Sequence, residues 1–429
     1  MRLKTRAIST CRAAAGAIML FSAGAMAQAP EPAAVVKTYA DIAQAAYDDA
    51  LKTGKVLQTS IGALLKEPTE ANLKAARQAW LAARVPYMQT EAFRFGNSIV
   101  DDWEGKVNAW PLDEGLIDYV ATDYGTESDE NPLYVANVIA KKRLTISGKK
   151  VDAAKITKTL LADKLQEAGG VEANVATGYH AIEFLLWGQD TNGTGAGSGK
   201  RPATDFDAKN CTGGNCDRRA EYLRVVTDLL VDDLGWIVRQ WDAKGAARKA
   251  VTANPKKGLV AIFTGIGSLS YGEMAGERMK LGLLIHDPEE EHDCFSDNTH
   301  NSHYYDLLGM QNVYLGSYKR IDGSAVSGPS PSDLVKATSA EADTALRSAL
   351  DATMAAVTTL KQRAETKERY DQMIGEGNAE GNAVVQGVID KLLVQTKAIE
   401  RGVAALKLQA IQFEGSDSLD DPKKVLSKK

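Results

Sequence analysis

The segment 385–406, VQGVIDKLLVQTKAIERGVAAL, places Val385, Val388, Leu392, Ile399, Val403 and Leu406 along one stripe. Apolar residues three, four and seven apart share a helix face, so this segment reads as an amphipathic helix with one side in a core. The spacing recurs upstream. Tyr222, Val226, Leu229, Ile237 and Trp241 form one such stripe, and Leu346, Leu350, Met354, Val357 and Leu360 form another. The stretch 72–95 is rich in Ala, Leu, Gln and Arg, which suit a helix. Strand-type alternation is scarce, with a short hairpin arm expected at 143–149. The pattern predicts an all-α fold of antiparallel bundles.

Long loops separate the helical segments. Residues 96–131 carry Pro111 and many acids, 188–216 hold five glycines between positions 188 and 199, and 321–332 contain Gly323, Gly328, Pro329 and Pro331. Loops of this length in a compact domain are often functional. The glycine-rich loop near residue 200 is the expected boundary between an N-terminal helical half, 35–200, and a C-terminal half, 201–415.

The chain has 429 residues, of which 44% are apolar and 25% charged. That composition excludes collagen-like, disordered and polytopic membrane classes. Arg2, Lys4, Arg6 and Arg12 precede an apolar stretch at 13–25, and Ala25-Met26-Ala27 ends it before Gln28. This is the pattern of a cleavable secretory signal peptide spanning residues 1–27. Its apolar part is too short for a permanent anchor, and no later run is long enough for a stable membrane span. Export to a bacterial periplasm is the expected fate. Losing the leader, with its four bases and no acid, takes the formal charge from −5 to −9. A net-acidic chain is poorly suited to neutralising phosphates, so nucleic acid is not an expected partner.

Cys211, Cys216 and Cys294 remain after cleavage. Cys211-Thr-Gly-Gly-Asn-Cys216 encloses a flexible turn, and export favours oxidation, so this pair reads as a disulfide. A thiolate metal site is the weaker alternative, because no second cysteine pair accompanies it.

Chemistry-bearing residues are few. His180 and Glu183 lie three apart in an apolar stretch, 171–187, that reads as a helix, so both point to one face. Burying an imidazole and a carboxylate is unfavourable unless they pair or bind a cation. The local sequence leaves a metal site and a core hydrogen bond equally open. His286, His292, His300 and His303 fall within a second region, where the acid-rich run 287–300 ends in Phe-Ser-Asp-Asn-Thr-His. Such density suits a metal-binding or pH-responsive loop, although a charge run is more often a solvated face. His300 is the favoured ligand there, since Asp297 precedes it by three residues at an expected helix start. P-loop, zincin, haem-attachment and nucleophile-elbow motifs are absent from the sequence.

Gly178 to Gly188, GYHAIEFLLWG, resembles the GxHxxE motif of the imelysin family. Similar matches occur at 80–87 (WLAARVPY), 90–96 (TEAFRFG), 110–112 (WPL), Tyr119, 276–279 (GERM) and 295–300 (FSDNTH). The resemblance covers roughly residues 40–410. It implies two helix-bundle halves with the His–Glu motif near their junction, in exported bacterial proteins linked to iron regulation and classed as metallopeptidases. Glu91, Glu277 and His300 become candidate completing ligands because they sit in the other family-like segments.

The favoured expectation is a periplasmic metal-binding protein of iron acquisition, with His180 and Glu183 as main ligands of a divalent or ferric ion. Oxygen-rich ligation with imidazole suits iron, with zinc as the second choice. Cell-envelope iron-uptake components are the expected protein partners. The alternative is a metallopeptidase in which the metal activates water for peptide hydrolysis. A third reading is an interaction module without metal.

Overall fold

The computed structural model describes residues 29–409 and 411–427; the signal-peptide segment and its cleavage point lie outside the described residues. The fold is all-α. Four helices make the first bundle: α1 (Pro32–Lys66), α2 (Glu70–Met88), α3 (Gly178–Trp187) and α4 (Cys216–Trp241). α1 packs against α2 and α4, and α3 sits against α2 and α4. The helix that follows the residue-200 loop thus packs with the N-terminal helices.

The second bundle starts with a helical rod, α5 (Pro255–Ser268), which continues with π winding through Leu269–Leu281. α6 (Thr299–Leu315), α7 (Ala340–Thr366) and α8 (Ala379–Ala405) complete it. α7 packs on α8, and α8 on the π segment. The bundles join where α6 meets α2 and α1 meets α5.

The apolar stripes account for this packing. Val385, Val388, Leu392, Ile399 and Val403 are buried along α8, as are Leu346, Leu350, Val357 and Leu360 along α7. Capping fixes the starts. The Thr69 side chain accepts from Asn72 N–H at α2, Ser339 from Ala342 N–H at α7, and Asn378 from Gly381 N–H at α8.

Among the described residues, two small antiparallel hairpins interrupt the helices. β1 (Arg143–Ile146) pairs with β2 (Lys149–Asp152), and β3 (Ser317–Lys319) with β4 (Ala325–Ser327). The cysteine pair 211–216 is disulfide-bonded at the start of α4. Among the described residues, no helix is long and apolar enough to cross a membrane.

Two helices are shorter than their sequences suggest. α2 runs through Pro86 and stops at Met88, where the Thr90 N–H and hydroxyl both donate to Tyr87 O in place of a further helical turn; a single 3-10 turn, Glu91–Phe93, follows. α3 begins only at Gly178, and residues 171–177 are irregular.

Candidate metal centre

Gly178 sets the position of α3. Its φ is +79°, and a Cβ there would lie 2.4 Å from Val107 O. Tyr179 N–H donates to Val107 O at 2.7 Å, and the Thr177 hydroxyl donates to Lys106 O at 2.8 Å. The helix start is therefore pressed onto the backbone of residues 106–107, which a residue without Cβ permits. His180 and Glu183 then share one face. His180 Nδ1 and Glu183 Oε2 share a hydrogen bond at 3.0 Å, and both side chains are buried.

The other half of the centre comes from the loop before α6. Asp293 Oδ1 lies 4.0 Å from His180 Nδ1 and 3.5 Å from His292 Nδ1. The two imidazole rings meet edge to face at 4.8 Å. His180, His292 and Asp293 each offer a ligand atom, all within 4.8 Å of one another. Local hydrogen bonds hold Asp293. Its N–H donates to Thr299 Oγ1, and Asn298 Nδ2 and Ser302 Oγ donate to its Oδ2. Glu183 Oε1 accepts from both N–H and Oγ of Ser296, at 3.0 and 2.6 Å.

Arg84 of α2 brings a buried positive charge to the same place. Its Nη2 donates to Asp293 Oδ1 at 2.8 Å and stands 3.3 Å from His292 Nδ1. Its Nη1 donates to Asn108 Oδ1 at 2.6 Å, and its guanidinium lies over the Trp80, Tyr87 and Tyr179 rings. The rings and Asp293 together compensate a charge that burial would otherwise penalise.

The electrostatics follow from burial. His180 is pushed down to about 3, first by desolvation and then by the Arg84 charge. His292 falls well below the usual imidazole value through burial and the charges of Arg278, His180 and Arg84. Both rings are thus neutral, the form that ligates metal. Burial and the Asp293 charge raise Glu183 well above the usual carboxylate range. Burial would raise Asp293 too, but Arg84 reverses that and keeps it ionised. The centre balances as one Arg84–Asp293 ion pair, with a proton shared by His180 and Glu183.

These residues fit a cation. Two neutral imidazoles and an ionised carboxylate converge, and the buried His180 Nε2 has no hydrogen-bond partner among the described residues. The other sequence candidates are not among the three converging residues and have partners of their own. Glu91 pairs with Arg278 at 2.8 Å, in a buried network with Glu273 and Asp306. Glu277 is partly buried and hydrogen-bonded with Ser416. His300 Nε2 accepts from Asn301 Nδ2 at 3.0 Å. His292 belongs to the histidine-rich run, whereas Asp293 is one acid among many in that run and Arg84 lies in a segment without histidines or acids. A signal for Arg84 exists: it follows Trp80 by four residues, on the same buried face of α2.

His303, also buried, is depressed to about 3 by desolvation and then by the Arg278 charge. An unfolded histidine takes up a proton near pH 6.5 and the folded one does not, so stability is lost as pH falls through that value. At pH 5 this one residue should lower the unfolding free energy by about 2 kcal/mol relative to pH 8. Urea titrations at both pH values on wild type and His303→Phe measure it. Identical pH dependence in the two proteins would contradict the assignment.

The imelysin family profile matches residues 43–399, and the chain belongs to that family. It is 35% identical over 104 residues to iron-regulated protein A of Synechococcus elongatus; the match spans 24% of this chain and 29% of that protein. A crystal structure from Parabacteroides distasonis, named for an iron-regulated protein A precursor, superimposes with a TM-score of 0.64 at 16% identity. That alignment covers 89% of this chain and 97% of the other. An imelysin-like protein from Psychrobacter arcticum aligns with a TM-score of 0.53 at 15% identity, over 88% and 98% of the two chains. Both likenesses concern the fold.

Proposed function

We propose that this chain is an exported, periplasmic metal-binding protein of iron acquisition. It takes a divalent or ferric ion at His180, His292 and Asp293, with Glu183 beside them. The observation that carries this reading is the convergence of those three buried donors within 4.8 Å. Imidazole and carboxylate without thiolate suit iron ahead of zinc. The iron-regulated names of its relatives point the same way. Bound metal would supply positive charge, and the His180–Glu183 pair would give up its proton to accommodate it. Cell-envelope iron-uptake components are the partners this role requires.

Metallopeptidase chemistry fits less well. A peptide carbonyl would have to reach donors that are at most 1% exposed.

Calorimetric titration with Fe(II) and Zn(II) salts tests the reading. Wild type should bind one ion. Glu183→Ala should weaken binding by about 10–100-fold, as expected for a group that orients a ligand. His180→Ala and His292→Ala should weaken it further, with helical circular dichroism retained. Equal binding by all four proteins would remove the centre from consideration.

A further inference from the structure

A cavity of about 470 Å³ opens close to the centre. Asp113, Glu114, Asp123, Asp190, Glu289 and Glu290 line it, and among the described residues no lysine or arginine does. Cys294, the neighbour of Asp293, forms part of its wall. A narrower pocket, sharing Glu114, Asp190, Glu289 and Cys294 with the first, reaches Glu291 and Phe295. Its volume of about 10 Å³ admits roughly one water-sized particle. Glu291 immediately precedes His292. Glu291 is 1% exposed, and its Oε1 has no hydrogen-bond partner among the described residues.

A solvated acidic face would spread its carboxylates over a convex surface. Here six of them face a shared hollow, and a seventh, Glu291, keeps a buried oxygen unsatisfied at its inner end. An unpaired buried acceptor is unfavourable, and a cation or its water would satisfy it. We infer that this vestibule binds a hydrated divalent metal cation on its way between solvent and the His180 centre.

The destination rests on the function proposed above; the vestibule itself stands on its own geometry. The ion keeps its waters in the outer cavity, because no three of the wall carboxylates come within 4.8 Å of one another among the described residues. It sheds water at the throat, where Glu291 Oε1 replaces a lost water oxygen. Burial and mutual repulsion hold Glu114 up at about 7 and Glu289 at about 8, so the wall is only partly ionised near neutral pH; the charge it carries still draws counter-ions into the concave, low-dielectric hollow. Lys200 lies near enough to Asp190 to offset part of its charge, but it does not line the cavity.

Two measurements test this. The first counts Mn(II) by electron paramagnetic resonance in His180→Ala, where the inner centre is disabled. One weakly bound ion is expected, and adding Asp190→Asn and Glu289→Gln should weaken it at least about tenfold. No bound ion in His180→Ala, or equal binding after the two further changes, overturns the vestibule. The second follows Co(II) loading of the full-length mature protein by stopped-flow absorbance. Asp190→Asn/Glu289→Gln should slow loading at least about fivefold and flatten its salt dependence. Unchanged loading overturns the transit role. If wild type takes up no Co(II) through His180, the proposed function fails and the Mn(II) count alone decides the vestibule.

Discussion

Replacing Asp293 with alanine should lower the stability of the metal-free protein by about 3–5 kcal/mol, the range for breaking a buried ion pair from one side. Arg84 is 1% exposed, and Asp293 is the carboxylate that it contacts, at 2.8 Å. Without Asp293 the guanidinium keeps its bond to Asn108 and three aromatic faces, which do not neutralise a full charge. Asn298 Nδ2 and the Ser302 hydroxyl also lose an acceptor. Asp293→Asn keeps the shape and part of the hydrogen bonding but not the charge, so its loss should be smaller. Arg84→Met combined with Asp293→Ala removes both charges and should recover much of the stability, since a buried pair contributes little net against apolar residues of similar size. Urea unfolding of wild type, Asp293→Ala, Arg84→Met and the double variant after chelation gives the cycle, with Asp293→Asn measured beside it. A loss below about 1 kcal/mol for Asp293→Ala would mean that Arg84 is compensated by something other than Asp293.

Much of the fold was legible in the sequence, because helical burial leaves a periodic trace. Most of each stripe on α4, α7 and α8 is the core face that the structure buries, while Leu229, Met354 and Leu406 are half-buried at its margin. The pair His180 and Glu183 was legible for the same reason, since residues three apart on a helix are neighbours wherever the helix goes. The partners of that pair left no such trace. His292 and Asp293 sit on a loop more than 100 residues downstream, and spacing within one segment says nothing about which loop folds over which helix. The preference for His300 rests on a local Asp297 spacing, and the structure shows only that His300 Nε2 accepts from Asn301 Nδ2. The π winding of 269–281 was equally silent, because no residue pattern in that stretch separates it from an ordinary helix.

Gly178→Ala should be among the most damaging single-methyl additions in the chain, by about 2–5 kcal/mol, summing backbone strain and overpacking. Two independent obstacles meet there. The residue holds φ at +79°, a region that a Cβ disfavours. The added carbon would also fall 2.4 Å from Val107 O and 2.5 Å from Val107 C, both backbone atoms that no side-chain rotation can move aside. Relief requires α3 to pull away from residues 106–107, breaking the bond from Tyr179 N–H to Val107 O. That displacement carries His180, two residues on, away from His292 and Asp293, so metal affinity should fall together with stability. Gly62→Ala is the control. Gly62 lies in α1 with nothing within 4 Å of its would-be Cβ. There the same substitution should stabilise by about 0.5–1 kcal/mol, because alanine is the better helix former. Opposite signs at the two positions, read from urea midpoints and metal titrations, would tie the first glycine of GYHAIE to the approach of two backbones. If Gly178→Ala matched wild type in stability and metal affinity, the close contact between α3 and residues 106–107 would have no part in building the centre.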